Sequence, residues 1–203
     1  TDRTSKGKTK GQAKSEARTP QKREKMNLQR TSHATPTNVV SVATAKNHLR
    51  VDVTDDDTLI ETLIGVAYDV VERYTGTFLQ EETATVYCDH FTEYMVLPGG
   101  VNVRINTTTG DGVGYYDEDG AFQTLASTDY EFDGISIPAR LRITDIPDFV
   151  DDRLNAVEID IKAGWNDSGT YKRPAALVQA MLLIVGHLYE NRQDVTGYKT
   201  HEL

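Results

Sequence analysis

Sulfur chemistry, membrane-spanning length and catalytic signatures are what this 203-residue chain lacks most conspicuously. A single cysteine, Cys88, excludes an internal disulfide framework and any cysteine metal cluster, and its setting among strand-forming residues predicts a small buried hydrophobe. No apolar run approaches the roughly 18 to 20 residues that a membrane-crossing helix needs, and no secretory leader is visible at the start, so a soluble protein is expected. The five histidines, at 33, 48, 90, 187 and 201, form no H-E-x-x-H, and there is no G-x-S-x-G and no P-loop. His48 reads as a partly exposed helix-end residue. No catalytic residue, metal site or cofactor is predicted, and the chain is not expected to be an enzyme.

Lysine is scarce outside the first 36 residues, where charge of the opposite sign dominates. Residues 1–36 hold ten Lys/Arg against three Asp/Glu, a net of +7; the remainder holds 12 basic and 28 acidic side chains, a net of −16. Only Lys46, Lys162, Lys172 and Lys199 are lysines of that acidic body. Such a surface stays hydrated and is tolerated best where salt screens its self-repulsion, a hint of a salt-adapted source. The basic stretch has almost no large apolar side chains beyond Met26 and Leu28, so alone it cannot offset the entropy of ordering and is expected to be an extended arm. The arm opens on Thr1, as after removal of an initiator methionine, with Met26 as an alternative start. Without interleaved aromatics it is unsuited to reading bases, and it fits an acidic protein surface or nucleic-acid phosphates. Its candidate partner-binding residues are Arg3, Lys6, Lys8, Lys10, Lys14, Arg18, Lys22, Arg23, Lys25 and Arg30.

What is present is helical punctuation and strand alternation. Thr54 to Gly76 has a capping-box start at Thr54, acidic residues Asp55, Asp56 and Asp57 on the positive helix end, and a glycine stop. Leu59, Leu63, Val66 and Val70 form one stripe, and Ile60, Ile64, Ala67, Val71 and Tyr74 a second beside it, predicting a core helix of about six turns. Glu61, Thr62, Asp69, Glu72 and Arg73 fall on the far side, with Asp69 and Arg73 spaced to pair. A short helix capped by Ser41 precedes it. From residue 83 the period changes to two: runs at 83–87, 93–97, 102–106, 112–116, 121–125, 130–133, 135–137, 140–144 and 156–162 predict seven to nine short strands in a sandwich or barrel.

Two loops invite chemical readings that turn chemistry answers better. Gly110-Asp111-Gly112-Val113-Gly114 has the glycines of a phosphate loop without the helix that must follow, which predicts a hairpin turn. Asp117-Glu118-Asp119-Gly120 lacks the spaced ligands of a calcium loop and predicts a β-hairpin closing at Asp119-Gly120. Asp151-Asp152 sits in a loop without partner ligands. The chain ends in a second long helix, with Pro174 at its first position and Leu177, Met181, Ile184, Val185 and Leu188 on one face, where Gly186 permits close approach of a neighbouring backbone.

The fold class is therefore α+β: an antiparallel core of the N- and C-terminal helices, an inserted all-β unit and an extended arm. Its predicted parts are the arm at 1–36, a helical part at 37–81, the β-rich insert at 82–171, and the closing helix and tail at 172–203, which pack on 37–81.

This arrangement resembles the head-to-tail connector, or adaptor, proteins of tailed phages. The likeness lies in the helical pair, with Ala45-Lys46, His48-Leu49-Arg50-Val51, Leu59-Ile60 and Glu72-Arg73-Tyr74-Thr75-Gly76. It continues through Leu97-Pro98, the Tyr116–Gly120 hairpin, Tyr130, Ile137-Pro138 and Ala163-Gly164-Trp165, and closes on Arg173-Pro174-Ala175-Ala176-Leu177 and His187 to Arg192. The resemblance implies a virion protein of the neck, assembled in the host cytoplasm as a ring of twelve copies. The ring docks on the portal, receives a tail-completion or neck protein, and passes DNA through its centre without sequence-specific contact. Asp69, Glu72, Arg73 and Arg192 are candidate subunit-interface residues. The long basic arm departs from the short start that the family would have. A competing class is a β-sandwich ligand- or carbohydrate-binding module, a monomer with an exposed aromatic groove; a metal-dependent hydrolase using the Asp-rich loops is a third.

Overall fold

A computed structural model describes residues 26–108, 110–150 and 153–191. The expected α+β class is what it shows: helices at the two ends of the chain pack together, and antiparallel sheets lie between them in sequence. The elements run β1 Asn27–Arg30, α1 Val42–Leu49, α2 Asp57–Thr75, β2 Glu82–Cys88, β3 Tyr94–Leu97, β4 Arg104–Ile105 and β5 Val113–Tyr116. They continue with β6 Phe122–Thr124, β7 Tyr130–Asp133, β8 Ala139–Ile143, β9 Val157–Ala163 and α3 Ala175–Glu190. Ser41 caps α1 as expected, its hydroxyl accepting from the Thr44 amide at 3.1 Å.

The start of α2 differs from the capping box expected at Thr54. The Asp57 amide instead donates to the Thr54 carbonyl at 3.1 Å, closing a turn before the helix, and Asp56 takes the cap position without a side-chain cap bond. The acidic side chains are used elsewhere: Lys46 Nζ lies 2.6 Å from Asp57, tying α1 to α2, and the Tyr189 hydroxyl donates to Asp56. The far end follows the sequence, with Gly76 left-handed at φ 65° and its amide on the Glu72 carbonyl. The Asp56–Tyr189 bond joins the start of α2 to the end of α3, and Arg173 Nε donates to the Leu79 carbonyl at 2.7 Å, so the two helices run antiparallel.

Only one of the two predicted stripes on α2 is core. Ile60, Ile64, Ala67 and Val71 are buried with Tyr68, against Met181, Leu182 and Val185 of α3 and Val40, Ala45 and Leu79. The Leu59 stripe climbs into solvent at Val66 and Val70, and Tyr74 is 91% exposed. On α3 the face has rotated slightly, burying Leu182 while Ile184 stays half-buried, and Gly186 faces the His48 ring instead of a backbone.

The sandwich has one sheet in the order β1-β2-β9-β5-β6, with β4 also on β9, and a second in the order β3-β8-β7. Both enclose one core of Val86, Val113, Ile159 and Ile161 against Met95, Leu97, Leu141 and Ile143. Strand β9 is its spine: β2 pairs along all seven of its residues, while β4 and β5 share its other side. Arg104 and Ile105 face Lys162 and Ile161, and Val113 then faces Ile159, so β4 and β5 are one interrupted strand. The hairpin expected at Gly110–Gly114 is therefore absent; residues 106–108 and 110–112 lie outside the ladder near Asp160, whose carboxylate accepts from the Asp111 amide and the Thr85 hydroxyl. The hairpin at Asp119-Gly120 does form, with the Asp117 carboxylate accepting from the Asp119 and Ala121 amides. Residues 135–137 form no strand, and Cys88 is a buried strand residue as predicted.

Beyond the expected strands, the arm contributes β1, which pairs antiparallel with β2 from Asn27–Tyr87 to Arg30–Ala84. Residues 26–36 thus belong to the folded body; residues 1–25 and the Asp151-Asp152 pair lie outside the described residues. The alternation of Met26, Leu28 and Arg30 matches that pairing, since Leu28 and Arg30 pair with Val86 and Ala84 of β2 and Met26 packs against the sandwich core, leaving Leu28 partly open to solvent.

Two outcomes follow. Ile64 is fully buried between α2 and its partners, so Ile64→Ala should lower unfolding free energy by about 2–5 kcal/mol in urea titrations. Glu81 sits beside Lys162 Nζ at 2.5 Å and under Arg104; burial opposes its ionisation, but the bonds from Lys162 and Arg104 outweigh that and hold its carboxyl below the usual range. A depressed carboxylate stabilises above its unfolded value and loses that contribution as pH falls through the folded one. Glu81→Gln should therefore cost up to about 1 kcal/mol at neutral pH and little once the wild-type carboxyl is protonated, measured by urea midpoints at stepped pH.

Candidate functional site

Four of the sequence-derived candidates, Arg30, Asp69, Glu72 and Arg73, come together on one flank. They line an open groove of about 520 Å³ with Leu28, His33, Phe78, Pro98 and Gly99, between β1, the last turn of α2 and the end of β3. The groove arises from sequence in three steps: Gly76 stops α2, the chain reverses through Thr77 and Phe78, and β1 lays Leu28 and Arg30 beside that reversal.

Its floor is a charge network. Arg30 donates to Glu72 through Nη2 and to Glu82 through Nη1 at 3.4 Å, and its guanidinium lies 4.3 Å from the centre of the Phe78 ring. Glu72 also accepts from the Leu79 amide at 2.7 Å; Glu82 accepts from the Tyr68 hydroxyl at 3.1 Å and the Ala34 amide at 3.2 Å. The two carboxylate side chains are 6% and 1% exposed, and their charges are countered by one guanidinium plus three neutral donors. Burial alone would lower the affinity of Arg30 for its proton, but the bond to Glu72 and the charges of Glu72 and Glu82 raise it. Burial, reinforced by the same two charges, pushes the Tyr68 hydroxyl well above its ordinary value, so it stays a donor.

Sequence periodicity placed Glu72 on the polar back of α2. Instead it turns inward, because the reversal after Gly76 brings the free Leu79 amide and Arg30 to it. Asp69 and Arg73 are exposed at the groove wall, beside Val66 and Val70. Nine of the arm residues, Arg3 to Lys25, and Arg192 lie outside the described residues. The sequence reading missed Glu82 and Tyr68, whose signal would have been an acid heading a strand otherwise fit for burial. It also missed Ile135 and Ile137, assigned to a strand but lying on an exposed loop.

Chemically, the groove offers packing and ion pairing; none of its groups is arranged as a nucleophile with a base. Among the described residues, no three or more His, Cys, Asp or Glu side chains are grouped to hold a metal ion, and no helix is long and apolar enough to cross a membrane.

Residues 39–98, which include α1, α2 and one wall of the groove, match the model of the phage gp6-like head-tail connector protein family, a structural family and not an enzyme family. The resemblance drawn from the sequence is borne out there. A search of curated proteins finds no match. Among solved structures, the chain is similar to a subunit in the neck of an empty GTA particle computed with C6 symmetry, at 22% identity over 83% of this chain and 86% of that one, TM-score 0.64. It is also similar to one in the neck of a native GTA particle computed with C12 symmetry (20%, 83% and 85%, TM-score 0.61) and one in the virion of a native gene transfer agent particle (23%, 82% and 86%, TM-score 0.59). These likenesses extend the shared fold well beyond residues 39–98.

Removing one partner from a buried ion pair leaves an uncompensated charge. Arg30→Ala should therefore cost about 3–5 kcal/mol of unfolding free energy, and Arg30→Lys most of that, since an ammonium cannot fork between Glu72 and Glu82. Denaturant titration of the two variants checks both values.

Proposed function

We propose that this chain is one subunit of a ring that connects the portal of a capsid to the tail of a tailed virus or virus-like particle. The single observation that carries the reading is the connector-family match over residues 39–98. The similar GTA neck structures, solved with C6 and C12 symmetry, support a cyclic assembly, and twelve copies agree with the second of them. The site of action is the neck of the particle, with assembly in the host cytoplasm. Partners on this reading are further copies of the chain, the portal, a tail-completion or neck protein, and DNA in the lumen.

The charge distribution suits those partners. A body of net −16 would give a channel wall that repels phosphates, so DNA slides instead of sticking. The basic residues Arg3, Lys6, Lys8, Lys10, Lys14, Arg18, Lys22, Arg23 and Lys25 carry the opposite sign and reach an acidic neighbour, either the portal or the next subunit. Asp69, Arg73 and Arg192 remain candidates for subunit contacts, while Glu72 serves the fold beneath them.

A deletion meant to test the arm must stop at residue 25, because removing residues up to 36 would take β1 and Arg30 with it. Native mass spectrometry and electron microscopy of the purified protein, alone and with portal rings, should show closed rings or portal co-assembly; a monomer under both conditions would overturn the reading. Deleting residues 1–25 should leave the thermal unfolding midpoint in place and weaken portal attachment by about tenfold or more at low salt, less at high salt.

A further inference from the structure

The connector reading requires lateral contacts but does not say which surfaces make them. Two unlike features, a groove of mixed apolar and charged lining and an apolar loop, stand on opposite flanks of the sandwich. In the large sheet β1 and β4 lie on opposite sides of the β2–β9 pair, and in the small sheet β3 and β7 are the two edges. The groove of Leu28, Phe78 and Pro98 belongs to the β1 and β3 flank. The loop between β7 and β8 belongs to the other, where Gly134 approaches the Val103 carbonyl and Ile135 neighbours Arg104.

That loop is a braced projection. Ile135 is 90% and Ile137 65% exposed, which is unusual for isoleucines so close together. Asp133 fixes the backbone beneath them: its carboxylate accepts from the Ile135 and Ser136 amides at 3.1 Å each, from the Ser136 hydroxyl at 2.7 Å and from Arg140 at 2.5 Å. The Arg140 guanidinium, followed by those donors, holds the Asp133 carboxyl far below the usual carboxylate range. A loop already held in one shape loses little entropy when it is packed against a partner.

Resting on the connector reading, we propose that the Ile135–Ile137 loop of one copy seats in the Leu28/Phe78/Pro98 groove of the next. A head-to-tail contact between unlike patches repeats around a ring and covers both features at every subunit, whereas a two-fold contact joins like to like. The convex loop carries no charge at its tip and the groove has about 520 Å³ of room. Charge permits the contact: at the base of the loop Arg140 is paired with Asp133, and on the groove wall Asp69 stands beside Arg73, so both patches are locally balanced on bodies that otherwise repel. Val66 and Val70 extend the apolar wall along α2.

Cross-linking decides it. Ile135→Cys and Leu28→Cys are made separately, with buried Cys88 left in place. Under mild oxidation, a mixture of the two assembled variants should give a covalent dimer that neither variant gives alone, and the double variant should give a ladder up to the full ring. Ile135→Asp should keep the thermal midpoint, because the side chain is solvated in the monomer, and should raise the concentration needed for ring formation by about tenfold or more. Rings that form normally from Ile135→Asp, with no cross-link in the mixture, would overturn this contact and leave the connector reading standing. Absence of any ring or portal complex in the wild type would overturn both.

Discussion

Two glutamates buried between a helix layer and a β-sandwich set the terms on which this chain can fold. Carboxylates withdrawn from water need compensation close at hand, and Glu72 and Glu82 find it in Arg30, Tyr68 and the amides of Leu79 and Ala34. Each donor comes from a different part of the chain: Arg30 from β1, Tyr68 from the middle of α2, Leu79 from the reversal after it, Ala34 from the link into α1. The network thereby fixes how the helices sit on the sheet, because moving either layer would strand a charge. The apolar cores on the two sides are separate clusters, and this polar joint is where they are made to agree.

Above that joint the surface divides its labour. The inward ridge of α2 is used up by α3, and what remains outside is a mixed strip of Val66, Asp69, Val70, Arg73 and Tyr74. Such composition suits a contact that must be both adhesive and selective, apolar atoms supplying area and charges rejecting wrong registers. A strongly acidic body adds a long-range repulsion between copies, so assembly on the connector reading depends on short-range contacts strong enough to overcome it, and on salt.

Much of this was legible in the sequence, and the failures have physical causes. Helix ends with their own chemistry, Ser41 and Gly76, fell where expected, as did most strands, because alternation and turn residues are local signals. The face of α2 was not local: two neighbouring apolar stripes both looked like core, and only the position of α3 decides between them. Glu72 followed the same logic, since helical spacing cannot anticipate an arginine arriving from 42 residues upstream. β1 was hidden by its polar neighbours, although Met26, Leu28 and Arg30 alternate. The break between β4 and β5 was hidden by Gly110 and Gly112, which suit a hairpin equally well; that both flanks pair with β9 is a tertiary fact.

The central position of β9 also bears on how the protein is made. Of the large sheet's strands it is the last in the chain, yet β2, β4 and β5 all hydrogen-bond to it and β1 reaches the sheet only through β2. During synthesis, the preceding strands of the large sheet have no spine to align on until about residue 163 has emerged, and the core face of α2, on which α1 already packs, is not closed until α3 follows. The large sheet and the helix layer are thus completed only by the last two elements of the chain, whereas the small sheet and the β5–β6 hairpin can pair before them.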